Sequence, residues 1–309
     1  MDRGDRAANG GGRLVWLATG CGAGVPHSAL LVTTKSQHAL LGIPLWFFLL
    51  YVIGAGSGKG SKVLLWAAAC IVPLAIRATL QTPSDREKHE WLCSIVFARI
   101  LPESSAPAED LKLLGLDPEF VRYIGAWGQR QPDNPLENQR LADALTPQVQ
   151  RRAVLFYITH PWRTARILYR VLKGDAAARQ PDLIGNYQRA SGEPAGTTAH
   201  AFAHWTKLRS FLFRVAPWHM VLLYVLLGVG AVYCIARASS QEARRISLVC
   251  LLLFVLGLMA FGIASLADYG ETGRHLWLFH VITDITIVVG AAELCRGRAR
   301  WPKTTEAVR

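Results

Sequence analysis

The sequence predicts an all-α, polytopic integral membrane protein with five or six transmembrane helices and an inserted helical extracytoplasmic domain. Two observations lead to this fold class. Apolar residues make up 51% of the 309 residues, and they are concentrated in long runs of about the 20 residues that cross a bilayer as a helix. The long stretch 81–216 between these runs carries many charges and no sustained alternation of apolar and polar residues, which argues against a sheet.

Hydropathy assigns the transmembrane helices in chain order. The apolar runs are 39–56, 63–76, 218–236, 246–267 and 276–294. The second run is short, but Lys62 and Arg77 at its ends can extend to the headgroups. A sixth run, 14–32, is weakened by glycines and by Pro26. It could be a first transmembrane segment, a cleaved signal peptide or a lipoprotein-type leader.

Lysines and arginines in short loops predict the orientation of these helices. The basic clusters at the ends of the apolar runs are Arg3, Arg6 and Arg13; Lys59 and Lys62; Arg237, Arg244 and Arg245; and Arg296, Arg298, Arg300 and Lys303. If six segments cross, all four clusters lie on one side. The protein is then expected in the bacterial cytoplasmic (inner) membrane as a multi-pass protein, with both termini cytoplasmic and 81–216 extracytoplasmic.

Five regions follow from this pattern. They are an N-terminal tail with a weak first segment (1–37), a transmembrane helix pair (38–80), the extracytoplasmic helical domain (81–216), three transmembrane helices (217–295) and a basic cytoplasmic tail (296–309). The amphipathic stretch 201–220 closes the domain and predicts an interfacial helix that runs directly into the next span, with Trp205 and Trp218 as belt residues. The prolines and asparagines of 128–139 predict a loop. Within 151–173, Pro161 predicts a helix start, and the basic residues of its second half lie against apolar ones.

Composition limits the classes of partner and cofactor. The net charge is +12, but the excess lies near the ends of apolar runs and no nucleic-acid motif is present, so the predicted partner is membrane lipid. The six cysteines form no CxxC pair, which predicts neither a disulfide framework nor a structural metal. The stretch GAGSGKGSK (54–62) lacks the glycine and serine spacing of a phosphate loop.

The strongest functional signal is the stretch 267–289, ADYGETGRHLWLFHVITDITIVV. Its first four ionisable residues, Asp268, Glu271, Arg274 and His275, belong to a predicted outer loop so short that they must crowd together. Such a loop could meet a lipid phosphate, or it could join two helices without any chemistry.

Two further ionisable residues lie inside the apolar part of the same stretch. His280 and Asp284 are four residues apart and therefore share one helix face. A charge halfway into the bilayer costs about 2.5–3.5 kcal/mol. Asp284 should therefore face the bundle interior, where His280 or another polar group can pair with it.

Two weaker candidates lie elsewhere. Arg86 belongs to DREKHE (85–90), which follows the second span; the acids of this stretch could bind a cation or act as a base, or simply begin a solvated helix. His160 precedes Pro161 at a predicted helix start, where it could orient a ligand or cap a surface turn.

Four short motifs carry a family resemblance: Ser36-Gln37-His38, FYITHP (156–161), LIGNYQ (183–188) and ETGRHLWLFHVITD (271–284). Together they resemble the later half of bacterial polytopic membrane glycosyltransferases that use lipid-linked sugars, over about residues 35 to 295. The resemblance implies a helical membrane fold, an extracytoplasmic active site and a polyprenyl-phosphate sugar donor.

The resemblance also implies roles for individual residues. Asp268, Glu271 and His275 become catalytic candidates, as base or cation ligand with an assisting histidine. The substrate-binding candidates are Arg274, His280, Asp284, Arg86 and His160. No cofactor is predicted, although the carboxylates leave room for a divalent cation.

One departure from the family pattern keeps other functions open. Such enzymes carry an essential acid in their first large outer loop, whereas the short loop TTKSQ (33–37) has none. Asp85, Glu87 or Asp268 could take the place of this acid, or the match could be architectural only. Alternatively, the catalytic half could be supplied by a partner membrane subunit, in which case the chain is a scaffold or accessory subunit. A third hypothesis, proton-coupled transport through His280 and Asp284, lacks the inverted repeat typical of transporters.

Overall fold

The computed structural model describes residues 36–54, 59–81, 84–126, 134–177, 192–194, 197, 204–238, 240–267 and 272–300. Within these ranges the protein is all-α. Eleven α-helices, one π-helix and four 3-10 helices follow one another, with no strand among the described residues. The predicted fold class, an all-α polytopic membrane protein, is confirmed. The weak first segment 14–32 lies outside the described residues.

The chain forms two compact units, residues 1–88 and 89–309. The helices of the first unit are a 3-10 helix, Ser36–Leu41, followed by α1 (Gly42–Gly54) and α2 (Lys59–Gln81). Leu49 and Ile53 of α1 pack with Ala68 of α2 in a small buried cluster. The indole Nε1 of Trp46 donates a hydrogen bond of 3.1 Å to the Ala68 carbonyl, which joins the two helices directly.

Short helices form the part of the second unit that precedes the membrane helices. They are α3 (Asp85–Cys93, which begins in the first unit), a π-helix (Ser94–Ile100), a 3-10 helix (Leu101–Glu103), α4 (Pro107–Leu114), 3-10 helices at Pro118–Tyr123 and Pro135–Glu137, α5 (Gln139–Ala144), α6 (Pro147–Thr159) and α7 (Pro161–Lys173). We call residues 89–177 the inter-span domain. Proline opens α4, α6 and α7, where its missing N–H costs nothing. The predicted helix start at Pro161 is thus confirmed.

The inter-span domain has its own hydrophobic core. All seven residues of the π-helix are buried, and Phe97 and Ile100 pack there with Phe120 of the 3-10 helix Pro118–Tyr123. Helix α4 ends at Gly115, whose φ of 83° is the left-handed conformation that glycine adopts freely. Burial raises the pKa of the Cys93 thiol to about 12, so this core cysteine stays protonated.

The remaining helices are α8 (His204–Val215), α9 (Trp218–Arg237), α10 (Gln241–Ala267) and α11 (Thr272–Arg300). Two glycines let α9 and α10 approach closely. A Cβ at Gly257 would lie 2.2 Å from the Tyr224 hydroxyl, and one at Gly228 would lie 2.8 Å from the Phe254 ring. Small residues at such contacts are typical of membrane helix packing.

Among the described residues, four helices are long and apolar enough to cross a membrane. The spans are Lys62–Thr79, Trp218–Arg237, Gln241–Ala267 and His275–Ala292, and a shorter apolar helix covers Ala39–Gly54. On α9, Leu222 and Val229 expose more than half of their side chains, as expected for surfaces that contact lipid.

Two details depart from the sequence expectations. The stretch 201–220 does not run without a break into a span. Helix α8 ends at Val215 and α9 begins at Trp218, because Pro217 cannot donate the backbone hydrogen bond that would join them. Within the predicted loop 128–139, residues 127–133 lie outside the described residues, and Pro135–Glu137 forms a 3-10 turn.

Candidate functional site

The predicted catalytic loop lies between α10 and α11. Asp268 and Glu271 lie outside the described residues. Helix α11 begins at Thr272, so Arg274 and His275 belong to its first turn; the side chain of Arg274 also lies outside the described part, and His275 is half-buried. The expectation of a short loop that ends near residue 271 agrees with these helix bounds.

The inter-span domain binds both ends of this loop. Before the loop, the Tyr157 hydroxyl donates a hydrogen bond of 2.9 Å to the Leu266 carbonyl. After the loop, the guanidinium of Arg99 donates one of 2.5 Å to Thr272 Oγ1 and lies 3.6 Å from the Asp175 carboxylate. Leu266 and Thr272, the described residues on either side of the loop, are thus each bound by a side chain more than 100 residues away.

Sequence reasoning missed both of these anchoring residues. Arg99 is only 6% exposed, although a lone arginine in the apolar run SIVFARI could have drawn attention to it. Burial raises the pKa of the Tyr157 phenol above its usual range. Tyr157 therefore remains a hydrogen-bond donor to Leu266 at any physiological pH.

Asp284 has two partners on α8. Trp205 Nε1 donates a hydrogen bond of 3.0 Å to Asp284 Oδ1, and Arg209 donates one of 3.3 Å to Oδ2. A polar partner was predicted for Asp284 inside the helix bundle. Its partners are Arg209 and Trp205, which belong to a different helix. Among the contacts of the described residues, His280 is not a partner of Asp284, so the proton-relay pair gains no support.

His280 lies one turn earlier on α11 in an aromatic environment. It is 5% exposed, and its ring meets that of Phe213 edge-on with centroids 5.7 Å apart. Its Nδ1 is buried without a hydrogen-bond partner among the described residues. Residues 205 and 209 of α8 contact residue 284, whereas residue 213 contacts residue 280, so α8 runs antiparallel beside α11.

A row of arginines on α7 neutralises two buried acids of the inter-span domain. Arg163 forms an ion pair of 2.6 Å with Asp110, which is 4% exposed and also accepts a hydrogen bond from the Ser104 hydroxyl. Two turns further, Arg170 pairs with the buried Glu103. The sequence indicated the basic face of α7, but it gave no indication of these acidic partners.

The end of α7 forms a shallow basic recess. Its volume is about 330 Å³, and it is lined by Arg166, Tyr169, Arg170, Lys173 and Gly174. The Tyr169 ring stacks on Trp218, the first residue of the span α9, with centroids 5.2 Å apart. The recess is therefore next to the point where the chain enters the membrane.

The last two candidates make mostly local contacts. Arg86 is exposed in the first turn of α3. Ser84 and Glu87 cap that turn reciprocally, and these hydrogen bonds lower the pKa of the Glu87 carboxyl. His160 stacks on Phe156 at 4.1 Å, and its Nδ1 lies 3.1 Å from the Phe156 carbonyl, so it completes the end of α6.

No group of three or more His, Cys, Asp or Glu side chains within the described ranges could hold a metal ion. Because Asp268 and Glu271 lie outside those ranges, the divalent cation suggested by the sequence stays a prediction.

The apolar helices and the helical domain between them define an integral, multi-pass membrane protein. Comparison with known families identifies it further. The chain belongs to the family described as the YfdI N-terminal transmembrane domain, whose family model matches residues 25–306. No curated protein and no solved structure matched the chain significantly. The description places this domain at an N-terminus, whereas the motif resemblance was to the later half of glycosyltransferases.

Proposed function

We propose that the protein is a membrane component of glycosyl transfer, and that the recess of α7 holds the phosphate of a polyprenyl-linked sugar at the extracytoplasmic membrane face. The observation that carries the proposal is the set of Arg166, Arg170 and Lys173 around one recess beside Trp218. A phosphate bound there could leave its prenyl chain in the bilayer next to α9.

The charges of the recess suit an anion. Arg166 and Arg170 are 54% and 63% exposed, whereas their acidic partner Glu103 is 3% exposed. The buried Glu103 pairs with Arg166 and Arg170, and Lys173 adds a third positive charge to the lining. The recess therefore has an excess of positive charge toward solvent. Guanidinium groups bind phosphate oxygens through paired hydrogen bonds, and the Tyr169 ring supplies an apolar wall.

The proposed chemistry belongs to the neighbouring loop. Asp268 or Glu271 would act as general base or cation ligand, with His275 assisting and Arg274 as a further phosphate contact. The contacts Tyr157–Leu266 and Arg99–Thr272 support this role because they fix the helix ends on either side of the loop, and reacting groups must be held in place for catalysis. In this scheme Asp284 and His280 orient α8 and α11 rather than touch the donor.

A second candidate function is that of a non-catalytic scaffold or accessory subunit that presents the lipid-linked sugar to a partner enzyme. The family's description as a transmembrane domain favours this candidate. Proton-coupled transport is the weakest hypothesis, because the contacts of Asp284 lead to Arg209 and Trp205.

The two candidates are separated by an assay of sugar transfer from a radiolabelled polyprenyl-phosphate donor. The enzymatic function predicts transfer by the purified protein and its loss in Glu271→Gln or Asp268→Asn. The accessory function predicts transfer only when a partner enzyme is added. Two results together would contradict both candidates. The purified protein would show no transfer with or without membrane extract, and cells that lack the protein would still make the glycan.

Substitutions in the recess test separately whether it binds the phosphate. Arg170→Gln and Lys173→Gln should each reduce transfer about tenfold through loss of a charge-assisted contact. Arg140→Gln is the matched control, because Arg140 is 67% exposed and pairs with Asp117 and Glu119 elsewhere in the same domain. Equal activity of all three variants would reject the recess as the phosphate site.

The extracytoplasmic side is tested by a topology reporter fused at residue 150. Activity of a reporter that works only outside the cytoplasm is expected. A cytoplasmic result would reverse the orientation and, with it, the face on which the donor is bound.

A further inference from the structure

The outer face of α6 is apolar and exposed. Val154 and Leu155 are 55% and 56% exposed, Ile158 is 70% exposed, and Trp162 at the start of α7 is 75% exposed. The opposite side of α6 is already covered, because Val149, Ala153 and Phe156 are buried in the core of the inter-span domain. Contiguous apolar surface of this kind is typical of a partner or membrane contact.

The charge of the α6–α7 hairpin indicates what covers this face. Residues 147–173 contain six lysines or arginines and no aspartate or glutamate. The three arginines of α7 pair with Asp110 and Glu103 of other elements, whereas Arg151 and Arg152 of α6, next to the apolar face, are exposed. An apolar helix face combined with basic residues and an exposed tryptophan is the composition that binds anionic lipid headgroups.

Two contacts place the hairpin at the height of the membrane boundary. From α6, the Tyr157 hydroxyl binds the carbonyl of Leu266, one residue before the span α10 ends at Ala267. From α7, Tyr169 stacks on Trp218, the first residue of the span α9. Since both helices touch the same end of the transmembrane bundle, a neighbouring apolar face reaches the headgroup region.

We propose that the α6 face formed by Val154, Leu155, Ile158 and Trp162 lies in the headgroup region of the bilayer and contacts anionic phospholipid. This lipid contact is separate from the proposed donor recess and does not depend on sugar transfer. It would hold the inter-span domain against the membrane surface and keep the recess at a fixed height above the acyl chains.

The test uses the full chain with a photoreactive amino acid at position 158, reconstituted in vesicles of phosphatidylglycerol and phosphatidylethanolamine or of phosphatidylcholine alone. Position 140, exposed in α5 of the same domain, carries the probe in the control. We expect at least about threefold more phospholipid adducts from position 158 than from 140, and more in the anionic vesicles.

Three results would overturn the proposal. They are adducts from position 158 at the level of position 140, adducts that do not respond to anionic lipid, and adducts to another protein in native membranes, which would identify a protein-binding face. Should the probe disturb folding, quenching of tryptophan fluorescence by brominated lipid gives the same answer. Trp162→Phe must then remove a measurable part of the quenching, and an unchanged quenching would refute the contact.

Discussion

The contact of Asp284 with α8 leads to the most specific prediction. Asp284 accepts hydrogen bonds from Trp205 at 3.0 Å and from Arg209 at 3.3 Å. Removing the arginine by Arg209→Gln leaves the carboxylate with one donor, whereas Asp284→Asn leaves the guanidinium without its counterion. Each single variant should therefore destabilise the protein, and the double variant should cost little more than either one.

The size of the effect follows from the exposure of the pair. A hydrogen bond to a charged group contributes about 1.5–3 kcal/mol. Because Arg209 is 19% and Asp284 is 35% exposed, the lower end of that range applies, about 1.5 kcal/mol for each single variant. If the pair acts as a unit, the double variant also loses about 1.5–2 kcal/mol, and the coupling energy is about 1–1.5 kcal/mol.

The assay is a titration with SDS of the protein in mixed micelles, followed by far-ultraviolet circular dichroism. Trp205→Phe is a useful third variant, because it removes the other hydrogen bond to Asp284 without changing any charge. Losses that add within about 0.5 kcal/mol in the double variant would refute the direct pairing. Full stability of Asp284→Asn alone would refute the view that the pair joins α8 to α11.

Three further predictions concern packing and burial. Cys93 should react with maleimide only after unfolding, because it is fully buried and burial raises its pKa to about 12; fast labelling of Cys93 in the folded protein would contradict this. Arg163→Ala should lower the midpoint of thermal unfolding because it leaves the buried Asp110 uncompensated, at about 3 kcal/mol, and Asp110→Asn in the same chain should restore part of the loss. Gly257→Ala should destabilise the protein in SDS titration by about 1–3 kcal/mol, because its Cβ would meet the Tyr224 hydroxyl at 2.2 Å. Tyr224→Phe in the same chain should restore only part of the loss, because two ring carbons of Tyr224 also lie at 2.8 and 2.9 Å. Unchanged stability of Gly257→Ala would contradict this close approach of α9 and α10.

Local signals in the sequence predicted the helical architecture. The runs that became α9, α10 and α11 are long and apolar, so hydropathy alone identified them. Pro161 divided 151–173 into α6 and α7 because a proline in the first helical turn loses no hydrogen bond. The short length of the loop before α11 was also evident, since the apolar run resumed a few residues after Asp268.

The partners within the candidate site were not predictable in the same way. Asp284 and Arg209 are 75 residues apart in the chain, and Arg99 and Thr272 are 173 apart. Only the packing of α8 and the π-helix against the membrane helices brings them together, and no periodic pattern encodes such pairings. The sequence therefore suggested that Asp284 needs a partner, His280 or another polar group, but it did not indicate that Trp205 and Arg209 of α8 fill this role.

The basic recess depended on tertiary structure for a similar reason. The basic face of α7 was visible in the sequence, but its functional meaning changes once Glu103 and Asp110 are seen to neutralise part of it. What distinguishes Arg166, Arg170 and Lys173 is the stacking of Tyr169 on Trp218, which brings these cations to the membrane boundary. Charge spacing alone could not have located them there.

We propose that this recess holds the phosphate of a polyprenyl lipid. Native mass spectrometry of the protein released from lipid nanodiscs tests this binding most directly. The wild-type protein and Arg140→Gln should retain added polyprenyl phosphate, whereas the double variant Arg170→Gln/Lys173→Gln should retain about tenfold less. Equal retention by all three proteins would reject the recess as the phosphate-binding site.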